Sequence, residues 1–360
     1  MFYSLLQGNQ AGRILAWIIG ILGVLANLGI LLNYLKNKYA KPSFDITFIK
    51  SRNASSSKSR IIAGFLIRQL ALADLLGALY LIIIASADSY YGYRYPQLYQ
   101  VPNPINQTNI WLQNPLCHIA RFCFYISSVL SIVITLVIAC DRFVVVVFPH
   151  SRARLNLFKC RIIILLCWVL CSAYALLPTV RGIIGLPKLS TKFILRLNMC
   201  LYMDEIKSIL RTFFTARLVI YYCSCCIIAL LYFIIIIYVR YKRRRIATRM
   251  NQIEHRIIVT MMLITLVNAF SLLPSTILFK LPLAIRSLKD MEYIITIAMI
   301  ITFCNAVINP FIYLYLSSSK RKPYKLCCFN RSKIAAKSTI QAAISDHHHK
   351  STEIEIAPVS

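Results

Sequence analysis

Seven long apolar stretches, each almost free of charge, divide this chain, and stretches of that kind have few folds open to them. A helix of about 20 apolar residues crosses the ~30 Å hydrocarbon core of a bilayer. In lipid every backbone polar group must be satisfied within the chain, so only helices and closed barrels span, and runs this long read as helices. The spans are placed at 14–35, 61–86, 120–147, 162–180, 212–239, 257–279 and 293–316. The chain is 58% hydrophobic and 15% charged, with a mean hydropathy of +0.65. A soluble fold of 360 residues would have to hide too much apolar surface at that composition. The expected fold class is all-α, a seven-transmembrane helix bundle. Residues 1–13 form a short outer segment and 14–316 the bundle. A short membrane-parallel helix follows at 317–328, then a disordered cytoplasmic tail at 329–360.

The net charge of +29 raises nucleic acid as a partner, but the charge is sorted by gap. Of 41 Lys and Arg, 27 fall in 36–60, 142–161, 240–256 and 317–360, whereas the alternate set of gaps holds 9. Cytoplasmic loops carry the Lys/Arg excess, which places the N-terminus outside and the C-terminus inside. The basic side then faces the anionic lipid of the inner leaflet, and no nucleic-acid partner is expected. The first span lacks a short leader with a cleavage site, so it reads as a signal anchor.

Most of the thirteen cysteines lie within spans and read as small apolar fillers. Cys117, at the outer end of the third span, and Cys200, in the outer loop before the fifth, face an oxidising exterior where a disulfide forms. Cys123 is the competing partner, about two turns deeper. Cys327 and Cys328 follow a basic stretch beyond the last span and suit S-palmitoylation, with free cytosolic thiols as the alternative. Asn106-Gln107-Thr108 is a glycosylation sequon on the outer face.

Polar residues at bilayer depth are costly and usually functional. Asp74 lies near the middle of the second span. Asn27, Ser131, Asn268, Asn305 and Asn309 offer polar side chains from other spans, and together they can build a polar core around the carboxylate. A cation such as sodium, or a proton, suits such a core; a packing network without an ion is the alternative. Asp141-Arg142 closes the third span at its cytoplasmic edge, where Arg142 can pair with Asp141 or with Glu254, or remain a solvated charge. Pro274 and Pro310 interrupt the sixth and seventh spans, and a proline inside a helix kinks it. Tyr313 lies one turn beyond the second kink, with Tyr238 near the inner end of the fifth span as its neighbour.

Together these residues resemble the rhodopsin-like (class A) G-protein-coupled receptors. The resemblance runs through Asn27, Leu70-Ala71-Leu72-Ala73-Asp74, Cys117, Asp141-Arg142-Phe143, Trp168, Pro274 and Asn309-Pro310-Phe311-Ile312-Tyr313, each on its own span in order. Within the class the chain is most similar to the leucine-rich-repeat-containing receptors of the glycoprotein-hormone and relaxin type. Leu81-Ile82-Ile83-Ile84-Ala85-Ser86-Ala87-Asp88 and Cys200-Leu201-Tyr202-Met203-Asp204 carry that likeness, as does a fifth span without the usual proline. Leu272 stands where an aromatic residue is common, and the leucine-rich ectodomain is not in this sequence.

The resemblance implies a plasma-membrane receptor that couples an extracellular peptide or protein ligand to a heterotrimeric G protein, with arrestin as a further partner. Asp141, Arg142, Tyr238, Glu254, Pro274, Pro310 and Tyr313 would form the switch, Arg142 making the G-protein contact. The alternative is a transporter or ion-conducting protein with Asp74 as charge relay, although transporters usually carry internal repeats and none is found. No catalytic cluster or metal-ligand set is found in the sequence, so an enzyme is not expected.

Overall fold

Hydropathy alone places the helices, because a membrane leaves the backbone no other partner. The structure is a computed structural model. It describes residues 6, 9–39, 54–98, 111, 114–148, 151, 154–184, 199–201, 208–241, 252–280 and 289–317. The helices are α1 (Gln10–Tyr39), α2 (Ala54–Leu98), α3 (Pro115–Val147), α4 (Leu157–Ile184), α5 (Ser208–Tyr241), α6 (Gln252–Lys280), α7 (Lys289–Ile301) and α8 (Asn305–Ser317). Among the described residues there are seven membrane-length apolar spans, α7 and α8 sharing the seventh (Ile294–Leu314). The expectations for Asn106, Cys327, Cys328 and the segments beyond 317 lie outside the described residues.

The ends differ from the hydropathy reading where polar chemistry sets them. α3 begins five residues before the expected 120 because Asn114 caps it: its side chain accepts from the Leu116 amide at 2.9 Å, and Pro115 follows. Asn156 does the same for α4, accepting from the Lys159 amide at 2.7 Å. α2 runs on to Leu98, twelve residues past its expected end. The seventh span is broken at residues 302–304, a turn that the apolar run Ile300-Ile301-Thr302-Phe303-Cys304 does not announce. Pro178 lies inside α4, besides Pro274 in α6 and Pro310 in α8.

Lipid is as apolar as the core, so helices associate through close fit. A Cβ added to Gly23 of α1 would lie 2.9 Å from the Ala78 methyl and 3.3 Å from that of Ala306, so α1, α2 and α8 meet at small residues. Gly77 is tighter: a Cβ there would run into the Phe303 ring. α3 is central, with 61% of its span buried, against 22% for α4, whose outer face carries lipid-facing Phe158, Leu165 and Leu170. The main core joins residues of α1, α2, α3 and the seventh span. A smaller apolar layer, with Ile132, Tyr221, Tyr232 and Leu272, joins α3, α5 and α6.

Candidate functional site

The polar groups fall into three tiers along the bundle. At one end, Cys117 of α3 and Cys200 form a disulfide with a Cα–Cα distance of 5.4 Å, so Cys123 is not the partner. The 199–201 segment is pinned beside it by side chains the sequence reading did not single out. Arg121 Nε donates to the Cys200 carbonyl at 2.8 Å, and the Tyr80 hydroxyl donates to that of Met199 at 3.1 Å. Cys200 itself takes a left-handed φ of 61°. Below this segment Tyr80, Phe124 and Phe303 pack with ring centroids 5.1–5.6 Å apart. The buried Arg217 guanidinium lies 5.4 Å from the Phe124 ring centroid. At the same end Asp88, fully buried, pairs with Arg13 at 2.5 Å and accepts from the Leu6 amide at 3.0 Å.

Mid-bundle, five of the six expected polar residues converge. Asp74 Oδ1 accepts from the Ser131 hydroxyl at 3.0 Å and from Asn305 Nδ2 at 2.9 Å, and its Oδ2 accepts from Asn309 Nδ2 at 2.8 Å. Asn305 and Asn309 stand one turn apart on α8 and so share a face. Each gives a second hydrogen to Asn268 Oδ1, at 2.7 and 3.2 Å. Asn268 Nδ2 then donates to Thr135 Oγ1 at 2.9 Å. A buried carboxylate needs such donors, because burial without them is prohibitive. The network joins α2, α3, α6 and α8.

Asn27 does not join them. Its amide donates to the carbonyls of Gly23 and Ala306 at 2.8 and 2.7 Å, tying α1 to α8. Backbone carbonyls lie nearer to it than the carboxylate does, a geometry that span-level reading does not resolve. Asn305 Oδ1 and Asn309 Oδ1 are buried without a partner among the described residues.

At the far end Asp141 and Arg142 are both buried. Arg142 Nε donates to Asp141 Oδ2 at 3.0 Å, and its Nη2 reaches the same oxygen. Nη1 reaches Ser59 Oγ of α2 at 3.3 Å, a contact the sequence did not suggest. The burial excludes the reading of Arg142 as a solvated charge in this structure. The side chain of Glu254 lies outside the described residues. Tyr238 packs in the layer of α3, α5 and α6, whereas Tyr313 packs against the main core, so the two belong to separate clusters. Pro274 sits among Ser271, Ser275 and Thr276, whose hydroxyls bond back to carbonyls of α6 itself, and Thr302 ties to Ser275 at 2.9 Å.

Sequence comparison gives the architecture its family. The profile described as 7 transmembrane receptor (rhodopsin family) matches residues 51–313. The chain belongs to the rhodopsin family of seven-transmembrane receptors. A G-protein coupled receptor GRL101 from Lymnaea stagnalis is 31% identical over 173 residues, 48% of this chain and 13% of its own length. The thyrotropin receptor of Ovis aries is 29% identical over 200 residues, 55% of this chain and 21% of that receptor. The lutropin-choriogonadotropic hormone receptor of Callithrix jacchus is 27% identical over 189 residues, 52% of this chain and 24% of that receptor. The matched region thus spans a quarter or less of these relatives. As a rhodopsin-family receptor with seven spans, this is a multi-pass protein of the plasma membrane.

Proposed function

We propose that this rhodopsin-family receptor couples an extracellular peptide or protein ligand to a heterotrimeric G protein. The observation that carries the reading is the buried Asp141–Arg142 pair, with Arg142 also held to Ser59. An arginine withdrawn from water at the edge of the bundle is a group a second state can release. The ligand class rests on the relatives named for thyrotropin and lutropin.

The disulfide end faces the exterior, where thiols oxidise, and the Arg142 end faces the cytosol with the basic gaps. Ligand at the outer end favours one bundle arrangement by its differential affinity. α6 then swings about Pro274, the mid-bundle network reorganises, and Arg142 is released to the G protein. Arrestin would use the same opened face, and the basic gaps would meet anionic lipid. Asp74, Ser131, Asn305 and Asn309 are the residues that would hold a sodium ion. The carboxylate and the hydroxyl are oxygen ligands suited to a hard cation; the two amides, which here donate Nδ2 to Asp74, would turn to present their unpartnered oxygens.

The test is nucleotide exchange on purified G proteins of each class, with the full chain in lipid nanodiscs beside Arg142→Ala. Exchange by the wild type that Arg142→Ala abolishes supports the coupling role. Exchange that persists in a well-expressed Arg142→Ala protein refutes it. Ion flux in proteoliposomes without G protein would favour a transport pathway through Asp74 instead.

A further inference from the structure

We propose that Tyr232 of α5 is a positioning residue that clasps the cytosolic half of α6 to α5 in the resting bundle. For its effect on signalling the proposal rests on the receptor reading above. Tyr232 and Thr265 are both buried, and their hydroxyl oxygens lie 3.1 Å apart. The direction of that bond follows from proton accounting. Thr265 gives its one hydroxyl hydrogen to the Met261 carbonyl at 2.7 Å, so Tyr232 is the donor across the helix boundary. Thr265 lies nine residues before Pro274, on the half of α6 that must move. Tyr232 also packs in one layer with Ala139, Phe143 and Val146 of α3, the residues that flank the Asp141–Arg142 pair. The clasp therefore stands beside the pair that the moving helix has to expose.

A second tyrosine marks the pivot. Tyr221 donates to the Ala269 carbonyl at 2.6 Å, five residues before Pro274. Near the kink a hydrogen bond can hold while the helix beyond it turns; at Thr265 it has to break. Both tyrosines belong to the apolar layer of α3, α5 and α6, apart from the main core that holds Asp74's neighbours. Leu272 lies in that layer too; among the described residues of the layer α6 offers no aromatic side chain, and the hydroxyl pair supplies a bond that can respond to ligand.

The experiment compares the full chain in nanodiscs with Tyr232→Phe, Thr265→Val, Thr265→Ser and the Tyr232→Phe/Thr265→Val double variant. Hydrogen–deuterium exchange reads the clasp without any G protein. Basal nucleotide exchange reads its consequence, and a purely structural role would not raise it. Tyr232→Phe keeps the ring and loses the bond, so amides of 258–269 should exchange faster, and basal nucleotide exchange should rise about two- to tenfold, the equilibrium effect of one net buried hydrogen bond. Thr265→Val should match it, Thr265→Ser should behave as wild type, and the double variant should add nothing further. Unchanged amide exchange in Tyr232→Phe, or full additivity in the double variant, overturns the clasp. Faster amide exchange with no nucleotide exchange by any protein, wild type included, leaves the clasp standing and overturns the receptor reading.

Discussion

Replacing Asn268 with leucine, which is close in size, removes the member of the mid-bundle network that belongs to α6. Asn268 accepts from Asn305 and Asn309 and donates to Thr135, and the Ser131 hydroxyl also lies 3.3 Å from its Oδ1; with the Ser131 hydrogen committed to Asp74, three bonds tie α6 to α3 and α8. Asp74 keeps its donors from Ser131, Asn305 and Asn309, so the carboxylate is not stranded. Interhelical hydrogen bonds in membrane proteins average ~0.6 kcal/mol, so three amount to about 2 kcal/mol. The proposed outward swing of α6 must break these bonds; in Asn268→Leu there is nothing to break. The equilibrium should move toward the swung arrangement by roughly 20- to 30-fold. Second hydrogens of Asn305 and Asn309 left without an acceptor push in the same direction. The assay is basal nucleotide exchange at matched receptor density in nanodiscs, with thermal unfolding alongside. Exchange should rise and the melting temperature should fall. A variant that unfolds at the wild-type temperature and exchanges at the wild-type rate refutes the idea that this network holds α6.

Three further outcomes are expected. Cys200→Ser opens a loop of 83 residues and releases the segment held by Arg121 and Tyr80; stability should fall by about 2–5 kcal/mol, read as lower surface expression and an earlier thermal transition. Arg13→Ala removes the cation paired with the buried Asp88 and should lower the melting temperature, the loss being about 1–3 kcal/mol. Arg13→Ala/Asp88→Asn should recover part of that loss; if the double variant is less stable than Arg13→Ala, the ion pair is not what holds the disulfide end of the bundle. For the proposed sodium ion, exchanging sodium for choline chloride at constant ionic strength should lower the melting temperature of the wild type and leave Asp74→Asn unmoved. Equal responses of the two proteins would place any sodium effect elsewhere.

The spans were legible because hydropathy is decisive in a bilayer. The Asp74 cluster could be approached from the sequence because its members are polar residues inside apolar spans, Asp74, Ser131 and Asn268 each on a different one and Asn305 with Asn309 sharing the seventh; Thr135 did not stand out. What escaped the sequence was direction. A helix that is apolar all round carries no signal for which side faces its neighbours, so Asn27 could not be told from the residues that reach Asp74. Ser59 sits in a serine-rich stretch where no one serine stands out, and its meeting with Arg142 depends on how α2 crosses α3. Arg121 and Arg217 were visible only as cations left inside spans; the carbonyl and aromatic ring they meet come from elsewhere in the chain. The turn at 302–304 was hidden because an apolar run reads the same whether or not the helix breaks.

That turn sets the phase of everything after it. Each residue of a helix advances the side-chain direction by about 100°, so an unbroken seventh span would lock the facing of Asn305 and Asn309 to that of Ile294. The tighter turn, closed by the Phe303 amide on the Ile300 carbonyl at 3.1 Å and the Cys304 amide on that of Ile301 at 2.9 Å, steps the second segment out of that register. Past it the spacing is fixed: a one-residue insertion between Asn305 and Asn309 would turn one amide away from Asp74. The turn thus aims the two amides, and the helical spacing after it keeps them together.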